Sequence, residues 1–344
     1  MNELWIHAGL PKSGSSALQV FFAKNHNKLK DEGVDYLDLE SLNEASAGAI
    51  TSGNGALLAK SLLSQGHPLL PPEAENIYDR FINRVKASES PAGLASSEFF
   101  SNISLDKLSR LKQDLVSLGV ELKIIFYVRR QDQFLVSSYM QEVKRHGYTG
   151  SLSDFVESRY KKIHFLNYYG FCQQLANVLN ERNLFVYKYD ATKSVRGGIA
   201  GHFMNSMIGR IPDWVSAESA INTSPAPLEL KLMLLANRFE PRMRFSDLLV
   251  DDSQRVGRSS YYPVHNIMNP SLSRAILDFF KDQNNKFFSK FCADRPFDID
   301  VNQDYVDVDT LEYSATEVLD IMSGFLVRFD NRIAALEKKP GNKL

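Results

Sequence analysis

The sequence lacks several features that would mark whole classes of protein. It has only two cysteines in 344 residues, Cys172 and Cys292, too few for a disulfide framework or a cysteine-based metal site. No run of roughly 18 apolar residues could form a membrane-spanning helix. The net charge is −1, so overall charge gives no indication of a nucleic-acid partner. These absences predict a globular protein with reduced cysteines, no membrane span and no nucleic-acid partner.

Common catalytic and cofactor signatures are missing as well. No cluster of His, Cys, Asp or Glu has the spacing of metal ligands, so no metal site is expected. The sequence contains neither the G-x-S-x-G turn of hydrolases nor the G-x-G-x-x-G turn of dinucleotide-binding proteins. No basic stretch followed by an apolar core opens the chain, which predicts a cytoplasmic protein.

The most informative stretch lies at the first predicted strand and the turn that follows it. The apolar run 4–8 reaches Gly9, passes Pro11, Lys12 and Gly14, and enters a helix through two serines. A strand–turn–helix of this kind directs several backbone N–H groups, and the positive end of the helix dipole, at one point. The sequence therefore predicts an anion site here, most often one for a phosphate.

This turn differs in one respect from the ATP- and GTP-binding loop, G-x-x-x-x-G-K-[ST]. Gly9 and Gly14 keep the glycine spacing, and Ser16 keeps the hydroxyl position. Ser15 stands where that loop has its lysine, and the lysine of this chain, Lys12, lies inside the turn instead. The turn therefore keeps a phosphate cradle but carries its lysine at a different position. This difference argues against an ordinary Mg-nucleotide kinase or ATPase.

Hydrophobic patterns along the chain predict an α/β fold. Strands are predicted at 4–8, 33–37, 93–98, 122–128 and 184–189, with helices between them. Apart from Lys123, the run 122–128 is aliphatic or aromatic, which is typical of a buried strand in a parallel sheet. The expected fold is a P-loop-like central, mostly parallel sheet flanked by helices.

The C-terminal part is expected to be largely helical. Helices are predicted at about 198–209, 226–238, 271–291 and 315–336. We therefore expect one domain over 1–344, with a sheet core at about 1–190 and a helical layer with a donor-closing loop at about 191–340. Residues 41–55 are rich in Ala, Ser, Gly and Asn, which predicts either a mobile lid near the site or a plain surface loop.

A second pair of polar residues follows the strongest strand. Arg129 comes directly after it, and Ser137 lies eight positions later on the next predicted helix. Ligands of open α/β sheets bind at the carboxyl ends of the strands. A guanidinium and a hydroxyl in that position can grip one phosphate. Arg130 and Ser138 have the same spacing, so the pair could be shifted by one residue.

Together these motifs resemble the sulfotransferases that use 3′-phosphoadenosine 5′-phosphosulfate (PAPS). The stretch His7-x-Gly9-x-Pro11-Lys12-Ser13-Gly14-Ser15-Ser16 is similar to their 5′-phosphosulfate loop, and Arg129-x7-Ser137-x-Tyr139 is similar to their 3′-phosphate pair. The resemblance implies a PAPS donor, the product 3′,5′-ADP and no metal. It implies donor contacts from Pro11, Lys12, Ser13, Gly14, Ser15, Ser16, Ala17, Arg129 and Ser137. A later segment containing Arg255, Gly257 and Arg258 resembles the family loop that closes over the 3′-phosphate and adenine.

The resemblance also suggests which residues carry the chemistry. Sulfuryl transfer needs a base for the acceptor hydroxyl and a positive charge at the departing phosphate oxygen, a role that Lys12 could fill. Family members that act on carbohydrates and protein tyrosines use a glutamate base, and the small-molecule enzymes use a histidine. Glu98, at the end of a predicted strand, is the expected base, because burial there could raise its pKa. His7 is the alternative.

The acceptor is expected to be an anionic glycan or glycolipid. Between positions 144 and 164 there are five cationic residues against Asp154 and Glu157; the five are Lys144, Arg145, Arg159, Lys161 and Lys162. Tyr148, Tyr160 and His164 lie among them and could stack on sugar rings. Two other functions remain open: a Mg-nucleotide-dependent kinase-like phosphotransferase, and a non-catalytic nucleotide-binding protein. Metal dependence separates the first of these from a sulfotransferase.

Overall fold

The computed structural model describes residues 1–10, 13–39, 52–216, 225–240, 246–249, 267–298, 305–312 and 314–337. The chain forms two compact units. The first comprises Met1–Phe134, Ile163–Ile221 and Phe279–Asp298, and the second comprises Leu135–Lys162, Asn222–Asp278 and Ile299–Leu344. Whether both units act as the one domain predicted over 1–344 stays a prediction.

Strands and helices alternate in the first part of the chain and helices follow one another in the last part. The described elements are β1 (Glu3–Ala8), α1 (Ser15–Lys24), α2 (His26–Asp31), β2 (Val34–Tyr36), α3 (Ala56–Ser61), α4 (Ala74–Lys86), β3 (Ala92–Ser97), α5 (Leu105–Ser117), β4 (Glu121–Val128), α6 (Gln131–His146), α7 (Leu152–Arg159), α8 (Tyr168–Leu179), β5 (Leu184–Lys188), α9 (Gly198–Ile208), α10 (Pro227–Phe239), α11 (Pro270–Lys290) and α12 (Ala315–Glu337). Short 3₁₀ turns lie at Glu98–Asn102, His164–Leu166, Glu181–Asn183 and Asp190–Ser194.

The five strands form one parallel sheet in the order β2-β3-β1-β4-β5, all within the first unit. Strand β1 is central, and its His7 is paired with Ser96 on β3 and with Ile125 on β4. The parallel α/β fold expected from the sequence is confirmed. The sheet brings the residues that follow β1, β3 and β4 to the same edge.

The strands are apolar at successive positions because helices cover both faces of the sheet. In β4, Ile124 and Phe126 enter one hydrophobic core, and Ile125 and Tyr127 enter the other. The first core includes side chains from α3, α4, α5 and α8, and the second includes side chains from α1 and α9. Strands buried on both faces read as unbroken apolar runs, which explains why 122–128 was recognisable from sequence.

The region 41–55 differs from the prediction of a mobile or plain surface loop where it is described. Residues 53–55 are buried. The Asn54 side-chain amide donates to the carbonyls of Leu37 (2.8 Å) and Leu94 (2.9 Å), and its oxygen accepts from the backbone N–H of Ser96 (2.8 Å). This one side chain satisfies main-chain groups at the ends of β2 and β3 and fixes the turn there. Residues 41–51 lie outside the described residues.

The helical C-terminal part agrees with the sequence prediction. Helices α9, α10, α11 and α12 match the four predicted segments to within a residue or two at each end. Helices α3, α7 and α8 were not predicted individually. In the described ranges, no helix combines the length and the hydropathy needed to cross a bilayer.

Candidate functional site

The turn after β1 is held tightly against the end of β3. The backbone N–H of Gly9 donates to the carbonyl of Ser97 (3.0 Å). A Cβ on Gly9 would lie 2.6 Å from Ser15 Oγ and 3.5 Å from the Cα of Glu98. Glycine at position 9 therefore lets the turn approach the Ser15 side chain, which any Cβ would overlap. Pro11 and Lys12 lie outside the described residues.

Two serine hydroxyls fold back into this turn. Ser13 Oγ donates to the carbonyl of Leu10 at 2.6 Å, and Ser15 Oγ donates to the same carbonyl at 3.0 Å. Both serines are buried. Ser15 occupies the lysine position of the ATP- and GTP-binding loop, and its side chain is used to hold the turn. No side chain at that position reaches out to a phosphate.

The start of helix α1 offers free backbone donors. Gly14, the N-cap residue, has φ +84° and no side chain that could cap the helix, and no acidic residue lies in the first turn. The N–H groups of Ser15, Ser16 and Ala17 donate to no other described residue. Unpaired N–H groups at the positive end of a ten-residue helix form an anion site.

Arg129 and Gly14, the N-cap residue of the cradle, both approach the ring of Tyr189. Its guanidinium Cζ lies 5.8 Å from the centre of the Tyr189 ring, and Nε donates to Gln133 Oε1 at 3.2 Å. The same Tyr189 ring would lie 2.7 Å from a Cβ on Gly14. Arg129 is half-buried and forms no ion pair with a described residue. No described carboxylate neutralises its charge, so the guanidinium can bind an anionic group of a ligand.

Arg130 is engaged elsewhere. It forms a two-pronged ion pair with Asp132, at 2.8 and 2.9 Å, and donates to the carbonyl of Asp298 at 2.8 Å. Of the two tandem arginines, Arg129 is thus the better candidate for a phosphate. Ser137 and Ser138, both half-buried on α6, belong to the second unit, so the pairing of Arg129 with Ser137 stays a prediction.

Glu98 lies at the rim of the same turn. It is the first residue of the 3₁₀ turn that follows β3, and the Ser97 hydroxyl caps this turn by accepting from the N–H of Phe99 at 3.2 Å. Glu98 is exposed, which differs from the buried environment expected for the base. The hydrogen bond from the Gly9 N–H to the carbonyl of Ser97, the preceding residue, nevertheless brings Glu98 close to the turn that forms the phosphate cradle.

His7 has a different environment. Its ring is fully buried, with Nδ1 2.8 Å from Ser96 Oγ, and it meets the ring edges of Phe22 and Phe203 at centroid distances of 6.3 and 5.7 Å. Nε2 has no hydrogen-bond partner among the described residues. Burial lowers the pKa of His7 to about 3, so the ring is neutral at ordinary pH. It braces β1 against β3 from inside the second core.

The basic segment 144–164 carries less free charge than its sequence indicates. Lys144 and Arg145 both bind Asp247, at 3.0 and 2.7 Å, and Arg159 lies 3.5 Å from Glu142. These acidic partners lie outside the segment, so the local count missed them. Tyr148 packs against Tyr139 and Phe155 rather than facing solvent as a stacking platform.

Two further observations complete the site. In the described ranges, no group of three or more His, Cys, Asp or Glu side chains is positioned to hold a metal ion. The segment with Arg255, Gly257 and Arg258 lies outside the described residues. Sequence reasoning missed Tyr189 and Asn54. Tyr189 directly follows β5, so the carboxyl-edge rule could have identified it, whereas Asn54 has no pattern that distinguishes it from a loop residue.

Comparisons with known proteins add the following. No protein-family model matches the chain. An uncharacterized protein from Archaeoglobus fulgidus is 24% identical over 208 residues, which are 58% of this chain and 53% of that protein. The chain thus spans about half the length of this curated relative.

Two solved structures are similar to the chain. A sulfotransferase from Alicyclobacillus acidocaldarius has a TM-score of 0.40 and 12% identity, over 69% of this chain and 93% of that one. A retinol dehydratase in complex with androsterone and the inactive cofactor PAP has a TM-score of 0.33 and 12% identity, over 82% of this chain and 80% of that one. Likeness at this level identifies no activity, so the function is inferred from the residues of the site.

Proposed function

We propose that this protein is a sulfotransferase that transfers the sulfuryl group of PAPS to an acceptor hydroxyl and releases 3′,5′-ADP. The observation that carries the proposal is the turn between β1 and α1. It keeps the free amides of a phosphate cradle, but Ser15, turned inward, stands where nucleotide kinases need a lysine. A donor whose 5′ end is a phosphosulfate fits a cradle whose lysine lies within the turn.

The donor contacts follow from the two anion-binding features. The amides of Ser15, Ser16 and Ala17 would bind the 5′-phosphosulfate together with Lys12. Arg129, which has no described ion-pair partner, would bind the 3′-phosphate, with Ser137 as the predicted second contact. The segment containing Arg255, Gly257 and Arg258 is proposed to close over the nucleotide.

The chemical step needs a base and a cation beside the cradle. Glu98 would accept the proton of the acceptor hydroxyl while the hydroxyl oxygen attacks sulfur in line. The bond between sulfur and the 5′-phosphate oxygen breaks, and the Lys12 ammonium neutralises the charge that develops on that oxygen. The products are a sulfate ester and 3′,5′-ADP, and no metal ion takes part.

The surroundings of the two candidate bases favour Glu98 over His7. A base must reach the acceptor from the solvent side of the site, and Glu98 is exposed beside Gly9. His7 is enclosed by aromatic rings, and its low pKa makes it a poor proton acceptor at neutral pH. We assign it a bracing role.

The acceptor hydroxyl is proposed to belong to a glycan or glycolipid. An anionic acceptor has less support than the sequence suggested, because three of the five cations between positions 144 and 164 are paired with carboxylates. We also propose that the protein works in the reducing cytoplasm, which is consistent with the buried free thiols of Cys172 and Cys292.

Transfer of radiolabelled sulfate from PAPS, measured in EDTA with a panel of glycans and phenols, tests the proposal. Glu98→Gln should lower turnover about 100-fold or more while leaving 3′,5′-ADP affinity intact. Glu89→Gln, an equally exposed change just before the amino end of β3, is the matched control and should have no effect. Activity that requires Mg²⁺ and ATP, or a Glu98→Gln variant with normal turnover, would contradict the proposal.

A further inference from the structure

A cavity of about 180 Å³ lies in the first unit at the edge of the first core. Its floor is apolar and includes Phe100, Phe171 and Leu175, which are all buried. Its walls are polar: Ser101 and Asn102 at one side, and His164 and Gln174 at another. The cavity has no part in donor binding as described above.

The cavity is connected to the phosphate cradle by one short element, the 3₁₀ turn Glu98–Asn102. The first residue of this turn packs against Gly9 in the cradle, and its later residues line the cavity. The hydroxyl of Ser101 donates to the carbonyl of Glu98 at 2.8 Å, which fixes the two ends of the turn relative to each other. A molecule in the cavity would therefore contact the turn that begins at Glu98.

The chemistry of the lining restricts what this molecule can be. None of the described lining residues is Lys, Arg, Asp or Glu, so the walls provide no fixed charge for an anion or a cation. They provide amide, hydroxyl and imidazole groups above aromatic and aliphatic faces. A phenol would use the apolar floor but would leave the exposed amide and imidazole groups of Asn102, His164 and Gln174 to water. A ring with apolar faces and several hydroxyls at its edge satisfies both parts of the lining.

We propose that this cavity is the acceptor subsite and that it holds an uncharged sugar ring, one hydroxyl of which is directed to Glu98. The inference rests on the proposed sulfotransferase function, and it replaces a general preference for anionic glycans with a preference for a neutral ring. Gln174, near the middle of α8, is the residue whose side chain should distinguish ring hydroxyls from bare carbon.

Direct binding tests the inference without turnover. Saturation-transfer NMR with the full chain would compare neutral methyl glycosides (galactoside, glucoside, mannoside and N-acetylglucosaminide) with methyl glucuronide and 4-nitrophenol. At least one neutral glycoside should bind more tightly than the glucuronide and the phenol. Gln174→Leu should weaken that glycoside about tenfold. Gln173→Leu is the matched control, because Gln173 bonds Asn177 and Lys290 outside the cavity, and it should leave binding unchanged.

Turnover separates this inference from the proposed function. With PAPS as donor, Gln174→Leu should raise KM for the glycoside about tenfold and leave the Kd for 3′,5′-ADP unchanged. Stronger binding of the glucuronide or the phenol, or equal effects of Gln173→Leu and Gln174→Leu, would overturn the subsite while sulfuryl transfer still stood. Absence of 3′,5′-ADP binding would instead overturn the proposed function, and glycoside binding sensitive only to Gln174→Leu would still support a sugar site.

Discussion

Replacing Arg129 with methionine should mainly weaken the binding of 3′,5′-ADP, whereas replacing Arg130 with methionine should mainly lower folding stability. Arg129→Met removes a half-buried guanidinium that has one hydrogen bond to Gln133 and a distant contact with the Tyr189 ring. Losing these should cost less than about 1 kcal/mol of folding free energy. A charge-assisted contact to a phosphate is worth about 1.5–3 kcal/mol, so 3′,5′-ADP should bind about 10- to 100-fold more weakly.

Arg130→Met should instead destabilise the fold. The Asp132 side chain is only 5% exposed, and Arg130 donates two charged hydrogen bonds to it. Removing one partner of a buried ion pair leaves an uncompensated charge and typically costs about 3–5 kcal/mol. The double change Arg130→Met/Asp132→Leu should recover much of this loss, because the orphaned carboxylate is also removed. Affinity for 3′,5′-ADP should change little in the double variant.

Urea unfolding followed by circular dichroism and calorimetric titration with 3′,5′-ADP measure the two effects separately. The assignment of Arg129 to the donor would be refuted if Arg129→Met bound 3′,5′-ADP normally. If the folded Arg130→Met/Asp132→Leu variant bound 3′,5′-ADP tenfold or more weakly, Arg130 would be assigned to the donor in place of Arg129.

The other predictions concern the neighbours of this site. The pKa of His7 is about 3 in the folded chain against about 6.5 unfolded, so the unfolded state takes up protons first as the pH falls. His7 should then lower wild-type stability by about 2 kcal/mol between pH 7.5 and pH 5, and His7→Asn should remove that share of the slope in urea unfolding. Gly53 has φ +85°, and a Cβ there would overlap the carbonyl oxygen of Ser96. Gly53→Ala should therefore lower the free energy of unfolding by at least about 2 kcal/mol. Gly66→Ala is the control and should cost clearly less, because Gly66 has φ +82° but open space around it. Lys12→Ala should lower kcat about 10²–10³-fold, with a much smaller change in donor affinity, and a variant with normal kcat would mean that Lys12 only positions the donor.

Those parts of the fold that depend on local hydrophobic patterns could be predicted from the sequence. The run 122–128 became β4 because it is apolar on both faces, and α4 appeared where Ile77, Phe81 and Val85 repeat at helical spacing and are indeed buried. The order β2-β3-β1-β4-β5 could not be predicted, because pairing between strands far apart in sequence leaves no local signal.

The candidate site was predictable in its backbone and less so in its side chains. Glycine spacing and the serines identified the turn before α1, since that geometry depends on nearby residues. The pairing of Lys144 and Arg145 with Asp247, about a hundred positions later, could not be derived from the local charge count. Asn54 was missed for a similar reason: its partners are the main-chain carbonyls of Leu37 and Leu94, distant in sequence, and the local sequence does not encode these contacts.

We propose that Arg129 and the cradle at the start of α1 together bind a nucleotide with phosphates at both its 3′ and 5′ positions. Calorimetric titration of the protein with 3′,5′-ADP and with ATP, both in EDTA, tests this claim most directly. We expect 3′,5′-ADP to bind at least tenfold more tightly than ATP, because only 3′,5′-ADP carries a 3′-phosphate for Arg129. Tighter binding of ATP, or no binding of 3′,5′-ADP, would contradict it.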